Sequence, residues 1–343
     1  VALREITSLD NAHGPVLHAL GTLLLRTEAV ASSKIEHIEA SMDDYARAMF
    51  GSRQNESAMS MVSATHAFEG FLDSVQADPI TLVAVKEAHR KLMEGDPRER
   101  SYAGRFRDVQ NWVGGSDFSP RGAIFVPPAP ETVDSLMDDL ETFVNRDDLS
   151  ILFQAAIAHA QFETIHPFTD GNGRIGRALI NVILRRRQAT TRVVVPLASA
   201  LVVKRDNYFA LLESYRDGDP LAIVHSFALA ATLVVREARK TASELEAIPA
   251  RWRASVSRLR TGGSTERILD HLLAVPVVTA ESLVRAIGVS PSSVYSALER
   301  LAEANVIRPL TDRTRNQVWG ASAVLEELDD LQIRIAIAAR AAG

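Results

Sequence analysis

His166-Pro167-Phe168-Thr169-Asp170-Gly171-Asn172-Gly173-Arg174-Ile175-Gly176-Arg177 is the most chemically dense run in the chain. Apolar periodicity enters it from Ser150 to Ile165 and restarts at Ile175, Leu179, Ile180, Ile183 and Leu184, the i, i+3, i+4 spacing of helices. Pro167 stops the first helix, because the residue before a proline disfavours helical geometry. Gly171, Asn172 and Gly173 make the turn, so a loop feeds a helix N-terminus. Free N–H groups and the positive dipole end suit such a loop to anions, and glycine lets the backbone approach a phosphate closely. Arg174 and Arg177 oppose the dipole where they stand, which makes sense around a multiply charged anion. Asp170 supplies the hard oxygen that Mg2+ takes, and His166 can accept a proton near neutral pH. A plain capped helix hairpin would explain the glycines but not this set. No Walker A pattern occurs, so a P-loop is excluded.

Outward from this loop, helical patterning dominates the 343 residues. It covers Val16 to Leu24, resumes through Ile35, Ile38, Met42, Tyr45 and Met49 towards Gly51, and returns at Thr81–Met93. Beyond, it covers Pro130–Asn145, Arg174–Arg187, Asp206–Arg216 and Pro220–Lys240. Turn signals crowd Gly104 to Pro130 around two strand-like runs, Val109–Val113 and Ala123–Val126, which predicts a β-hairpin in a helical domain. Arg236 to Arg260 reads as a helical linker, and Thr261-Gly262-Gly263-Ser264 marks a boundary. Helices at Thr265–Leu273, Ala280–Ile287 and Pro291–Asn305, then a hairpin of Ile307–Leu310 and Gln317–Trp319, follow winged-helix order. The expected division is 1–78 N-terminal helical module, 79–235 catalytic core, 236–262 linker, 263–320 winged helix and 321–343 helical tail.

With 46% hydrophobic and 24% charged residues the chain can build a sizeable core, and a net charge of −5 advertises no nucleic-acid field. Absence of cysteine excludes disulfides and thiolate metal sites. No run of signal-peptide or membrane-spanning length is apparent, so a cytoplasmic enzyme or regulator is expected. In the winged-helix segment Ser292, Ser293, Tyr295, Ser296 and Arg300 are positioned to reach a groove, and Arg313 and Arg315 a backbone. Six Arg against six Asp/Glu between Ser264 and Gly320 make a poor electrostatic footprint for DNA. Protein docking or dimerisation is at least as good a use. The other histidines show no metal-ligand spacing and read as ordinary helix residues.

The loop resembles the Fic signature His-Pro-Phe-x-Asp/Glu-Gly-Asn-Gly-Arg-x-x-Arg at every defined position. The resemblance implies a mainly α fold with a β-hairpin flap and an enzyme that moves AMP from ATP-Mg to a protein hydroxyl, the chain itself included. It implies His166 as base, Phe168 as the loop's anchor and Asp170 as the Mg2+ ligand. Gly171, Asn172 and Gly173 would line the α- and β-phosphates, with Arg174 on the β- and Arg177 on the γ-phosphate. Gly173 stands where a phosphorylating toxin branch has Lys, which favours AMP transfer. Gly122, Ala123, Ile124, Phe125 and Val126 resemble the flap edge on which a target segment docks by strand addition. Tyr208 or Phe209 would border the adenine.

Ser32 and Glu36 are i, i+4 neighbours on one helix face. They resemble the family's inhibitory motif Ser/Thr-x-x-x-Glu-Gly/Asn, except that His37 replaces Gly or Asn. The implied mechanism is a Glu36–Arg177 salt bridge that blocks the γ-phosphate subsite. Rival readings keep the pocket but remove AMP or transfer another nucleotide, or make the chain a DNA-binding regulator whose core senses nucleotide.

Overall fold

The structure is a computed structural model that describes residues 1–11, 16–51, 53–115, 119–257, 259–311 and 317–342. It is mainly helical, built around two adjacent helices that flank the loop, α7 (Ile151–Ile165) and α8 (Asn172–Arg186). Every residue of α8 from Asn172 to Leu184 is buried. A helix enclosed on all sides must satisfy its polar groups internally: Asn181 exchanges two hydrogen bonds with the backbone of Val195, at 2.8 and 3.1 Å. Around this pair pack α2 (Leu17–Ile35), α4 (Glu56–Val75), α5 (Leu82–Met93) and α6 (Val133–Val144). α9 (Leu197–Leu201), α10 (Arg205–Arg216) and α11 (Pro220–Ser255) complete the surround. One contiguous apolar core runs from Ile6 in α1 (Ala2–Asn11) to Ile335 in the last helix.

Two buried carboxylates staple the N-terminal helices to the segment after α8. Asp10 accepts from the backbone N–H groups of Thr191, Arg192 and Val193, and Glu28 accepts from that of Ala198 at 2.7 Å. The C-terminal module comprises α12 (Ser264–Ala274), β1 (Val277–Thr279), α13 (Ala280–Ile287), α14 (Pro291–Glu303), β2 (Ile307–Pro309) and β3 (Val318–Ala321). Its antiparallel sheet has the order β1-β3-β2, with Val277 opposite Gly320 and Ile307 opposite Ala321. The tail, α15 (Ser322–Ala341), folds back on α11.

The sequence expectations need four amendments. The helix that carries Ser32 stops at Ile35, and a turn separates it from α3 (Met42–Met49). The expected linker is no separate element, since α11 runs unbroken through 36 residues with Pro249 inside it. An 18-residue window of α11 is apolar enough to cross a membrane by composition, with mean hydropathy 1.5. That window is 39% buried, and the helix packs against α1, α7, α10, α12 and α15. Finally, the flap is no ladder. Among the described residues its two runs share a single antiparallel bridge, Val113 to Phe125. A two-stranded ribbon without a third strand or a covering helix is marginal, and Pro127 and Pro128 supply no ladder donors.

Candidate active site

α7 ends at His166, which takes the left-handed conformation at φ 50, and α8 begins after Gly171 at φ 74. Between them Phe168 is completely buried and stacks on His89 with ring centroids 3.7 Å apart. His89 ties the loop further: its Nε2 meets the carbonyl of Asp170 at 3.0 Å and its Nδ1 accepts from Gly104 N–H at 2.9 Å. Burial pushes His89 down to about 4, so it stays neutral. The Asn172 side chain bridges the backbone N–H and carbonyl of Phe168, both at 2.8 Å. The Asn172 side chain is therefore spent on closing the loop.

Arg107, 3% exposed, binds loop and flap together. Its guanidinium donates to the carbonyls of Ile165, His166, Val109 and Pro128. Neither His89 nor Arg107 stands out in the sequence, because their partners are backbone atoms of distant segments. The flap itself alternates: Gly122, Ile124 and Val126 face outward while Ala123 and Phe125 turn in. Ile124 is 68% exposed, and Phe125 lies 3.8 Å under the Arg216 guanidinium.

Arg177 is 1% exposed and fully engaged. Its Nε donates to Ser32 Oγ at 2.8 Å, and its Nη2 donates to the Ser32 carbonyl at 3.0 Å and to Glu36 Oε1 at 2.7 Å. Burial alone would raise the Glu36 carboxyl, but the Arg177 charge and hydrogen bond hold it below the usual range. Arg177 is in turn held charged by Glu36 against its own burial. Glu36 also lies over the loop itself. A Cβ added to Gly173 would stand 2.1 Å from Glu36 Oε1. The carboxylate thus stands at the N-terminus of α8, between Gly173 and Arg177. Arg174 donates to Ser60 Oγ at 3.0 Å and lies 3.5 Å from Asp170.

Glu36 caps the C-terminus of α2 rather than lying within a helix. His37 N–H donates to the Lys34 carbonyl at 3.0 Å, and Ile38 N–H to the Ser33 carbonyl at 3.1 Å. These are the two bonds of a Schellman turn, whose pivot residue must be left-handed. His37 is that residue, with φ 59. Glycine and asparagine tolerate this geometry best, which gives a physical reason for the Gly or Asn expected at this position.

Of the two adenine-side candidates, Tyr208 is 1% exposed, and its hydroxyl sits 3.0 Å from His159 Nε2 and 3.4 Å from Arg177. It is a core residue that backs Arg177. Phe209 is partly exposed, with the Arg205 guanidinium 4.8 Å above its ring. Asp170 keeps 55% of its side chain exposed, and its Oδ1 accepts from Gly171 N–H at 2.6 Å. Among the described residues no group of three His, Asp or Glu gathers into a cage. A single open carboxylate beside a phosphate loop is the donor set that a nucleotide-bound Mg2+ uses. In the C-terminal module Ser292, Tyr295, Ser296 and Arg300 are exposed, whereas Ser293 bonds back to the helix-capping Ser290. Arg313 and Arg315 lie outside the described residues.

Residues 79–184 of this helical fold match the Fic/DOC family model. Protein adenylyltransferase fic-1 of Caenorhabditis elegans is 32% identical over 171 residues, covering 49% of this chain and 30% of that protein. Protein adenylyltransferase Fic of Drosophila erecta is 35% identical over 149 residues, covering 42% and 26%. The chain therefore spans less than a third of the length of these relatives. A Fic family protein from Desulfovibrio desulfuricans G20 shares the fold over 93% of both chains, with a TM-score of 0.58 at 22% identity. Fic-1 from C. elegans (aa134–508) does so over 70% of both, with a TM-score of 0.54 at 23% identity.

Proposed function

We propose that this chain transfers AMP from ATP to a hydroxyl of a protein and that Glu36 holds it inhibited. The hydroxyl oxygen attacks the α-phosphorus while His166 takes its proton. The bond from the α-phosphorus to the α,β-bridging oxygen breaks, and pyrophosphate leaves towards Arg174, Arg177 and the N–H groups of α8. Electrostatic stabilisation by preset donors is the expected main contribution. Asp170 would hold Mg2+, which offsets charge on the phosphates. An extended Ser, Thr or Tyr segment of the target, or of the chain itself, lies along Gly122–Val126. The similarity to protein adenylyltransferases of C. elegans and Drosophila erecta supports adenylyl transfer.

The observation that carries the inhibition is the Glu36 carboxylate over Gly173, bonded to Arg177. One guanidinium cannot hold both it and a terminal phosphate. The test is α-labelled ATP with wild type and Glu36→Gly, on the chain alone and on a lysate. Protein-bound label should rise on the order of tenfold. A charge-assisted pair contributes about 1.5–3 kcal/mol, and solvent screening at a carboxylate 35% exposed keeps the effect at the low end. No label from either protein, with ATP bound, overturns the transfer. Equal label overturns the inhibition. Release of AMP from pre-labelled protein by the wild type would favour AMP removal in the same pocket. The C-terminal module, with balanced charge, is read as a winged helix that docks protein; its binding to duplex DNA is expected to be weak and steeply salt-dependent.

A further inference from the structure

A carboxyl stands behind the base. Glu163 lies one turn before His166 on α7, with only 7% of its side chain exposed and its Oε2 3.9 Å from His166 Nδ1. Glu163 Oε1 has no hydrogen-bond partner among the described residues, and His166 Nδ1 meets none within hydrogen-bond geometry, the Glu163 main-chain carbonyl acting on the ring more loosely. Buried polar atoms are rarely left so. The room for the carboxyl is provided by α8: a Cβ on Gly176 would meet Glu163 Oε1 at 2.7 Å. Glu163 therefore turns Oε2 towards His166 Nδ1 and leaves Oε1, without a partner, against Gly176 under the catalytic loop.

We infer that Glu163 is the positioning residue of a His166–Glu163 dyad, its carboxylate facing Nδ1–H, turning Nε2 outward as the accepting nitrogen and balancing the imidazolium formed there. The geometry is independent of the reaction; its consequence for rate rests on the AMP transfer proposed above. As the hydroxyl oxygen bonds to the α-phosphorus, its proton passes to Nε2. Nδ1 keeps its own proton and the carboxylate takes none. After pyrophosphate leaves, Nε2 gives its proton to water. The division of labour is that of an oriented imidazole with a buried acid behind it.

The electrostatics explain why such a partner is needed. Burial pushes His166 down to about 4, and the main-chain carbonyl of Glu163 opposes this only in part. Unaided, the imidazole is too weak a base for its task. Charged groups face the pair from every side: Arg177 from α8, Glu36 from the end of α2, Arg216 from the end of α10 and Arg107 from the flap. Burial pushes Glu163 up to about 7; Arg177 and Arg216 oppose that shift, and Glu36 adds to it. Removing the Glu36 charge therefore favours the ionised Glu163, and because it also withdraws a charge that raises His166, the base comes to depend more on the carboxylate behind it.

The experiment compares Glu36→Gly with Glu36→Gly/Glu163→Gln in the full chain. The Gln is isosteric and leaves the main-chain carbonyl in place. Nitrogen NMR of the His166 ring, without substrate, should show the neutral ring protonated on Nδ1 and titrating about one unit lower in the Gln variant. With ATP and acceptor, kcat at pH 7 should fall about tenfold while KM for ATP stays within about twofold. A His166 titration unchanged by Glu163→Gln overturns the dyad. So does a loss confined to KM and thermal stability, which is what a packing role alone would give. If the titration shifts but neither protein transfers AMP, the dyad stands and the proposed reaction falls.

Discussion

The catalytic loop and the turn that covers it are held in different ways. Residues 166–172 are fixed from several sides: Arg107 on the carbonyl of His166, Asn111 and Asn172 on that of Phe168, His89 on that of Asp170, and Thr169 on Glu99. The turn from Glu36 to Ser41 has fewer polar ties, with Ile38 and Ala40 packed on a small cluster of Val30, Tyr45 and Met61. Glu36 meets Arg177, Arg205 Nε donates to the Ile35 carbonyl at 2.6 Å, and exposed His37 sits at positive φ. On its far side the neighbouring helix is tied to the C-terminal module, where Asp43 pairs with Arg308 and Arg47 donates to the Leu310 carbonyl. A preset site needs its groups locked before substrate arrives; a removable plug needs the opposite. Under the proposed inhibition by Glu36, the difference means that rigidity here is distributed by task.

The largest expected effect breaks the rigid side. In the Glu36→Gly background, His166→Ala should reduce AMP transfer by about 10²–10⁴-fold while ATP still binds, measured by label transfer and by equilibrium binding. Transfer at the parental rate removes His166 from the chemistry. Next comes the shared residue. Arg177→Ala with Glu36→Gly should transfer no better than the wild type, because freeing the site and deleting its anchor are the same change to one guanidinium. Activity as high as in Glu36→Gly alone would mean that Arg177 serves only the plug.

A third test sharpens where the plug begins. Glu28, on the buried part of α2, is pushed up to about 8 by burial, with the hydrogen bond to Ala198 and the charge of Arg177 opposing. The native state thus binds a proton that the unfolded chain gives up near its ordinary value of 4.5. This contribution to stability is full below that value and is lost as pH rises through about 8. Glu28→Gln keeps an acceptor for Ala198 and carries no charge. Thermal unfolding of the variant should be flatter between pH 5 and 9 than that of wild type, without a change in transfer. An equally steep profile places the pH dependence elsewhere.

The loop was legible because each of its residues is chosen for chemistry at a fixed local spacing. His166, Asp170, the glycines and both arginines fall together in the structure, and Ser32 and Glu36 reach Arg177 from 145 and 141 residues away. That last contact came through the family resemblance, since nothing in local periodicity points from α2 to α8. The missed supports share one property: His89, Arg107 and Glu163 work on backbone atoms or behind the loop, and helical pattern marks such residues only as core. The flap misled because alternation signals an extended chain and says nothing of how many neighbours it pairs with. The α2–α3 break was hidden because apolar spacing continues across the turn while φ at His37 does not.

His37 is also the smallest handle on the comparison, and the one that tests its physical basis. A left-handed L-residue costs roughly 1–2 kcal/mol relative to glycine, at the low end for histidine, which visits this region more readily than most. Glycine loses more freedom on folding, which takes back about 0.5–1 kcal/mol. The net gain for the closed turn in His37→Gly is therefore a few tenths to about 1 kcal/mol. Glu36 should be seated more firmly and basal transfer should fall about threefold. A β-branched residue has no such tolerance, so His37→Val should strain the Schellman turn and raise basal transfer by a similar factor, with Arg177 and Glu36 both unaltered. Opposite signs for Gly and Val are the signature of backbone strain. If both substitutions raise transfer alike, the imidazole itself holds the turn down and the strain account of this position is wrong.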